Sequence, residues 1–237
     1  MNDSAPHDKF RSVETAIRAH IHSGMTLMVG GFGRGGAPFT MLEYLSDHPS
    51  DFQDLTLIKN DGSEPNLGIG PLFGKGISKK LISTHIGLNP DLIVRMNRGE
   101  VAVTLHPQGI FAEKIRAAGA GIPAFLTDIG IDTPLADDKD KILFNDRHYL
   151  LEPALHGDAA LIAADKVDPM GNCYFHGSNR NMNVVMGSAC KTVLVEAFEL
   201  VEVGEIQPEM VHLPGIFVTA IVQAEPRRHM NEKEESA

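Results

Sequence analysis

Apolar residues Val13, Ala16, Ile17 and Ile21 recur at helical spacing, with Ser12 placed to cap the N-terminus and Gly24 shortly past the end. The spacing predicts a surface helix. Thr26-Leu27-Met28-Val29 follows as a short apolar run without polar alternation, the pattern of a strand buried on both faces of a parallel sheet. A glycine-rich stretch comes next. Pro38 suits the first turn of a helix, where its missing N–H would have no intrahelical partner, and Met41, Leu42 and Leu45 continue an apolar face.

The alternation persists. Strands are predicted at residues 55–58, 80–84, 101–105 and 124–126, and helices at 90–98 and 107–118. Such alternation implies an α/β fold: an open, mostly parallel sheet covered by helices on both faces. From Asp128 to Arg147 the pattern lapses into Gly, Asp, Lys and Pro, expected as an exposed excursion or a hairpin leading into a strand over 149–152. Further strands are expected at 159–163, 173–175 and 192–196, with a helix over 181–189. The whole reads as one domain over 1–223, without repeats or a linker. The polar, charged stretch 224–237 is expected as a disordered tail.

Composition narrows the class. At 237 residues, 43% hydrophobic and 22% charged, the chain is an ordinary globular protein able to bury a substantial core. A net charge of -10 with no long basic run argues against nucleic acid as a partner. The start, MNDSAPHDKF, has no apolar signal region, and no later stretch approaches the roughly 20 apolar residues that cross a bilayer. Two cysteines, Cys173 and Cys190, without CxxC spacing suit a reducing cytoplasm and read as packed small residues. The eleven histidines show no ligand spacing, since His20 and His22 cannot face one ion from a helix, so no metal is expected. No G-x-S-x-G serine motif occurs.

The chemistry is carried by Gly30-Gly31-Phe32-Gly33-Arg34-Gly35-Gly36-Ala37-Pro38, five glycines between a strand and a helix start. Backbone N–H groups are unpaired there and the helix dipole is positive, so an anion or carbonyl can approach closely. Arg34 favours an anionic ligand. Gly31, Gly33 and Gly36 also fit the dinucleotide-binding pattern G-x-G-x-x-G, but the acid expected about twenty residues later has no clean candidate at a strand end. A tight turn without a ligand stays open beside these readings.

From Gly24 to Pro38 the segment resembles the alpha-subunit signature of family I CoA-transferases: Gly, two residues, three apolar residues, Gly-Gly-Phe, three residues, Gly, any residue, Pro. Ser23 stands where that signature has Asp or Asn. The resemblance continues through residues 54–58, Gly68-Ile69-Gly70-Pro71-Leu72, His85-Ile86-Gly87, Pro107-Gln108-Gly109, Gly119-Ala120-Gly121, Gly171-Asn172, Arg180-Asn181-Met182-Asn183 and Pro214-Gly215-Ile216. It covers residues 10–223 and is similar to subunits A of succinyl-CoA:3-oxoacid, acetate/butyrate:acetoacetate and 3-oxoadipate CoA-transferases.

The resemblance implies a CoA-transferase-type fold and ping-pong chemistry through a glutamyl-CoA thioester. It implies an acyl-CoA and a short-chain carboxylate as substrates, with no permanently bound cofactor. It assigns Gly30, Gly31, Phe32, Gly33, Arg34, Gly35 and Gly36 to contact with the CoA ester, and Gln108 to the acyl or carboxylate end of the substrate. Arg180 and Asn181 are further candidates for a substrate carboxylate. The nucleophilic Glu is expected in a Ser-Glu-Asn-Gly segment of a homologous beta subunit in an α2β2 assembly. This chain lacks that segment, and Ser63-Glu64-Pro65-Asn66 has neither its spacing nor its glycine. Outside this family, a dinucleotide-binding module and a sugar-phosphate-binding relative of the same fold are the alternatives.

Overall fold

A computed structural model describes residues 9–225. Helix α1 (Val13–His20) starts where the Ser12 hydroxyl accepts the Thr15 N–H, and it buries Ala16 and Ile17. Then follow β1 (Thr26–Val29), α2 (Phe39–Asp47), β2 (Leu55–Lys59), α3 (Gly70–Gly74), β3 (Ser78–Ser83), α4 (Pro90–Asn97), β4 (Ala102–Leu105) and α5 (Gln108–Gly119). After these come β5 (Ala124–Thr127), β6 (Lys141–Phe144), β7 (Arg147–Pro153), β8 (Ala159–Val167), β9 (Cys173–Tyr174), α6 (Asn183–Gly187), β10 (Thr192–Leu200) and β11 (Ala220–Gln223).

The main sheet runs β11-β10-β8-β1-β2-β3-β4, and every pair along that path is parallel. From β1 the chain steps outward through β2, β3 and β4, then returns on the other side of β1 as β8, β10 and β11. The strand order therefore reverses between β1 and β8. In open α/β sheets the crevice beyond the carboxyl ends of strands at such a reversal is where ligands bind. The glycine loop leaves β1 at that point.

The two-residue period of a strand sends β1 into both halves of the core. Leu27 and Val29 pack with Ile17, Leu42, Leu45 and Leu72, from helices on one face. Met28 packs with Phe111, Ile115 and Met186, from α5 and α6 on the other. Each such fully buried side chain contributes about 1.5–3 kcal/mol, so burial on both faces makes β1 a rigid base for the loop.

Several expected elements differ. Residues 124–126 do not extend the parallel sheet: β5 pairs antiparallel with β7 in a separate three-stranded sheet, β5-β7-β6. A four-residue apolar run carries no information about its partner. The hairpin expectation for 128–147 holds in β6 and β7, joined by Asn145 and Asp146 at positive φ. β9 is antiparallel to β8 and two residues long. The helix expected over 181–189 is only α6, preceded by a 3-10 turn at Gly177–Arg180, because Asn181 and Asn183 bond to backbone carbonyls instead of continuing a helix. α3 and β11 have no counterpart in the sequence expectations. The expected tail lies outside the described residues from 226 onward, while Ala224 and Glu225 donate N–H bonds to Ala197 O and Thr40 Oγ1.

Candidate active site

The loop after β1 folds as a small hairpin. Phe32 and Gly35 exchange backbone hydrogen bonds of 3.0 and 3.1 Å, leaving Gly33 and Arg34 at the tip and Phe32 52% exposed. Its base is packed with no room for side chains. A Cβ on Gly30 would lie 1.8 Å from Asn183 Oδ1, and one on Gly36 would lie 2.8 Å from Asn179 O. Glycine at both positions is therefore a packing requirement. Of the loop amides, Gly30, Phe32, Gly33 and Gly35 have partners within the chain. Gly31, Gly36 and Ala37 are buried, yet their N–H groups have no hydrogen-bond partner among the described residues. Buried, unpaired amides are rare and mark a place where a ligand or solvent acceptor belongs.

One wall comes from the carboxyl end of β2. Asp61, two residues beyond the strand, accepts the Gly33 N–H at 2.8 Å, the Ser63 N–H at 2.9 Å and Lys59 Nζ at 3.0 Å. Lys59 and Asp61 are both buried. Burial pushes the Asp61 carboxyl upward, but the Lys59 charge and the two N–H bonds together hold it below the ordinary carboxylate value. Burial lowers Lys59, with Asp61 opposing. An acid thus does stand at a strand end after the glycine motif, contrary to the sequence expectation. Its oxygens are committed to protein donors, which removes the ribose contact that a dinucleotide would require.

The second wall is the start of α5. Pro107 precedes the helix and Gln108 is its first residue, as expected. The Gln108 amide nitrogen donates to Asn60 Oδ1 at 2.5 Å and its oxygen accepts the Thr84 hydroxyl at 3.0 Å. Asn60 adjoins Asp61, so Gln108 is linked through the 59–61 segment to the hairpin.

The third wall is the segment 179–183. Asn181 Nδ2 donates to Gly35 O at 3.2 Å, and Asn183 Nδ2 donates to Gly36 O at 2.9 Å. Arg180 is exposed and makes no hydrogen bond among the described residues; its charge adds to burial in lowering the His212 pKa. Arg34, expected to meet an anionic ligand, is instead paired in bidentate fashion with Glu64 at 2.8 and 2.9 Å on the protein surface.

The structure therefore brings Gly30 to Gly36, Gln108 and Asn181 into one bonded cluster, with Arg180 outside its hydrogen bonds. Sequence reasoning missed Lys59, Asn60, Asp61, Thr84 and Asn183. The available signal was the polar run Lys59-Asn60-Asp61 closing an apolar strand, where the carboxyl end of a parallel sheet presents side chains to a site. Among the described residues no group of three His, Cys, Asp or Glu could hold a metal ion, and no helix is long and apolar enough to cross a membrane.

The chain is 42% identical over 222 residues to the probable coenzyme A transferase subunit alpha of Bacillus subtilis, spanning 93% of this chain and 96% of that one. It is 40% identical over 207 residues to the acetoacetyl-CoA:acetate/butyrate CoA transferase alpha subunit of Clostridium acetobutylicum, spanning 87% and 94%. The fold matches the acyl-CoA transferase YdiF apoenzyme of Escherichia coli O157:H7 at a TM-score of 0.81 and 24% identity, over 93% of this chain and 47% of YdiF. The chain thus spans about half of that structure and nearly the full length of the other two relatives. The profile of the coenzyme A transferase family matches residues 10–224, and the chain belongs to that family.

Proposed function

We propose that this chain is the alpha subunit of a heteromeric, cytoplasmic CoA-transferase that moves CoA between an acyl-CoA and a short-chain carboxylate or 3-oxoacid, the nucleophilic glutamate coming from a homologous beta subunit. The observation that carries this reading is the state of the carboxylates around the hairpin. Asp61 is bonded through both oxygens, and Glu64 is held in bidentate fashion by Arg34. Neither offers an oxygen to attack a thioester. What the cluster does offer is donors: the unpaired amides of Gly31, Gly36 and Ala37 and the Gln108 side chain. Donors aimed at a developing oxyanion are half of an acyl-transfer site, and the other half must come from elsewhere. The relatives of equal length are named as alpha subunits, which supports a second chain.

The chemistry follows from this division. A carboxylate of the partner attacks the thioester carbon and expels the CoA thiolate, leaving a mixed acyl anhydride. The thiolate then attacks the enzyme-side carbonyl, releasing the first carboxylate product and forming an enzyme-CoA thioester. The acceptor carboxylate runs the two steps in reverse and leaves as its CoA ester. No proton is consumed, and the charge on oxygen at each tetrahedral stage is what the loop amides and Gln108 stabilise. The printed substrates of the Clostridium relative favour acetoacetyl-CoA and acetate as the first pair to try.

Co-expression with a partner chain carrying Ser-Glu-Asn-Gly, followed by acetoacetyl-CoA:acetate exchange, tests the reading. Transfer by the complex and none by either chain alone is expected. A pure, stable complex inactive across a panel of short-chain carboxylates would overturn it. Binding of NAD to the lone chain in a calorimeter would do so in favour of a dinucleotide module.

A further inference from the structure

The tip of the glycine hairpin leaves open space where a side chain on Gly33 would stand. Gly33 sits at φ +58, and a Cβ there would meet no atom within 4 Å, whereas the hairpin base is wedged against Asn179 and Asn183. The tip is held instead by two carboxylates from the segment after β2: Asp61 on the Gly33 N–H, and Glu64 on the Arg34 guanidinium. Of these, Arg34 and Glu64 are exposed or half-exposed, and such surface pairs define position weakly. The Asp61 carboxylate is buried although its bond to the half-buried Gly33 is not fully so, and the same carboxylate also fixes Ser63 in its own loop.

A carboxylate beneath an anion-accepting loop brings a problem of its own. Its charge would repel a phosphate, a carboxylate or a developing oxyanion above it, and in a buried setting that repulsion is poorly screened. Lys59, fully buried on the same strand end with its Nζ 3.0 Å from Asp61 Oδ1, cancels it. An asparagine at 61 could not replace the acid, because one amide oxygen cannot accept from the Gly33 N–H, the Ser63 N–H and the Lys59 ammonium on two separate sides.

We propose that Asp61 is a positioning residue that sets the hairpin tip through the Gly33 N–H, and that Lys59 neutralises it so that the loop stays receptive to an anionic acyl-CoA. The ligand rests on the reading in the preceding subsection; the positioning does not.

The test uses the full chain with its partner and three variants: Asp61→Ala, Lys59→Met, and the double Lys59→Met/Asp61→Ala. Asp61→Ala strands a buried ammonium and loses the acceptor. It is expected to lower both thermal stability and kcat/KM with acetoacetyl-CoA, the latter about 10²-fold, as for a misplaced catalytic frame. The double variant removes the stranded charge and regains stability, but kcat/KM stays low because the tip is still untethered. Lys59→Met keeps the tether and exposes the ligand to the Asp61 charge, so KM for acetoacetyl-CoA rises more than kcat falls.

Hydrogen exchange of residues 30–38, measured without any CoA ester, should be faster in the double variant than in the natural protein, with β1 unchanged. Recovery of full activity along with stability in the double variant, or equal exchange in the hairpin, would overturn the proposal. Faster hairpin exchange in a complex that transfers no CoA would uphold the positioning and reject only the assigned ligand.

Discussion

Replacing Gly30 with alanine isolates the packing at the hairpin base. The new methyl carbon would sit 1.8 Å from Asn183 Oδ1 and 2.9 Å from its Cγ, so the Asn183 side chain must leave. It cannot leave freely. Asn183 is fully buried, and its amide accepts from Ala163 N at 3.3 Å and donates to Gly36 O at 2.9 Å and Asn179 O at 2.7 Å. Losing three such bonds at about 1 kcal/mol each, with at least one buried backbone group left unsatisfied, costs on the order of 4 kcal/mol. For a chain of this size that corresponds to a fall in Tm of roughly 8–16 °C. Urea unfolding of Gly30→Ala, Asn183→Ala and the double variant gives a cycle in which the methyl should cost far less once Asn183 is already truncated. The expected coupling is about 2–3 kcal/mol. Strictly additive losses, or a Gly30→Ala cost under about 1 kcal/mol, would refute the steric reasoning.

Three further outcomes are expected. Glu196 on β10 is buried beneath the start of α2, where it accepts from Thr40 Oγ1 at 3.0 Å and Met41 N at 3.2 Å, and burial pushes its carboxyl from 4.5 up to about 7. A raised folded-state pKa means the folded protein holds this proton more tightly. Its stabilising contribution is full below pH 4.5 and is lost as pH rises through about 7, so Glu196→Gln should flatten the unfolding free energy across that window by about 3 kcal/mol; an unchanged slope would show that Glu196 is not the group responsible. Glu152 is buried between Lys114 Nζ, at 2.8 Å, and Lys139 Nζ, joining β7 to α5. Glu152→Gln leaves two ammonium groups facing each other and should lose about 3–5 kcal/mol in urea titration, whereas a loss within error would mean the triad carries no net weight. Gln108 is exposed but is the partner of the buried Asn60 Oδ1, so Gln108→Ala should cost about 1 kcal/mol of stability while lowering kcat/KM about 10²-fold; intact kinetics would take Gln108 out of the site.

How far the sequence could be read depended on how local each signal is. The β1 strand, the loop and α5 are legible because their apolar runs, glycines and Pro107 act within a few residues of each other. The reversal of strand order between β1 and β8 is not, because residues 26–29 and 159–163 carry no mark of their pairing across more than a hundred intervening residues. The destination of β5 was hidden for the same reason. Among site residues, Gly30 to Gly36 stand out by composition, and Gln108 by the family resemblance together with its place at a helix start. The pairing of Arg34 was not legible because its partner, Glu64, lies thirty residues away and meets it only when the loops after β1 and β2 come together. Lys59 and Asp61 look like ordinary surface charges after a strand, and only the tertiary structure shows them buried and paired. Asn183 was visible as part of a motif, but its task of filling the space that Gly30 and Gly36 leave empty depends on contacts between distant segments.

The central claim is that this chain supplies the donors of a CoA-ester site while the attacking carboxylate belongs to another chain. Mass spectrometry of the purified complex after incubation with acetoacetyl-CoA in the absence of an acceptor tests it most directly, because the enzyme-CoA thioester should accumulate under those conditions. The expected result is a CoA adduct on a glutamate of the partner and none on this chain. An adduct on this chain, at Glu64 or any other carboxylate, or turnover by this chain alone, would contradict it.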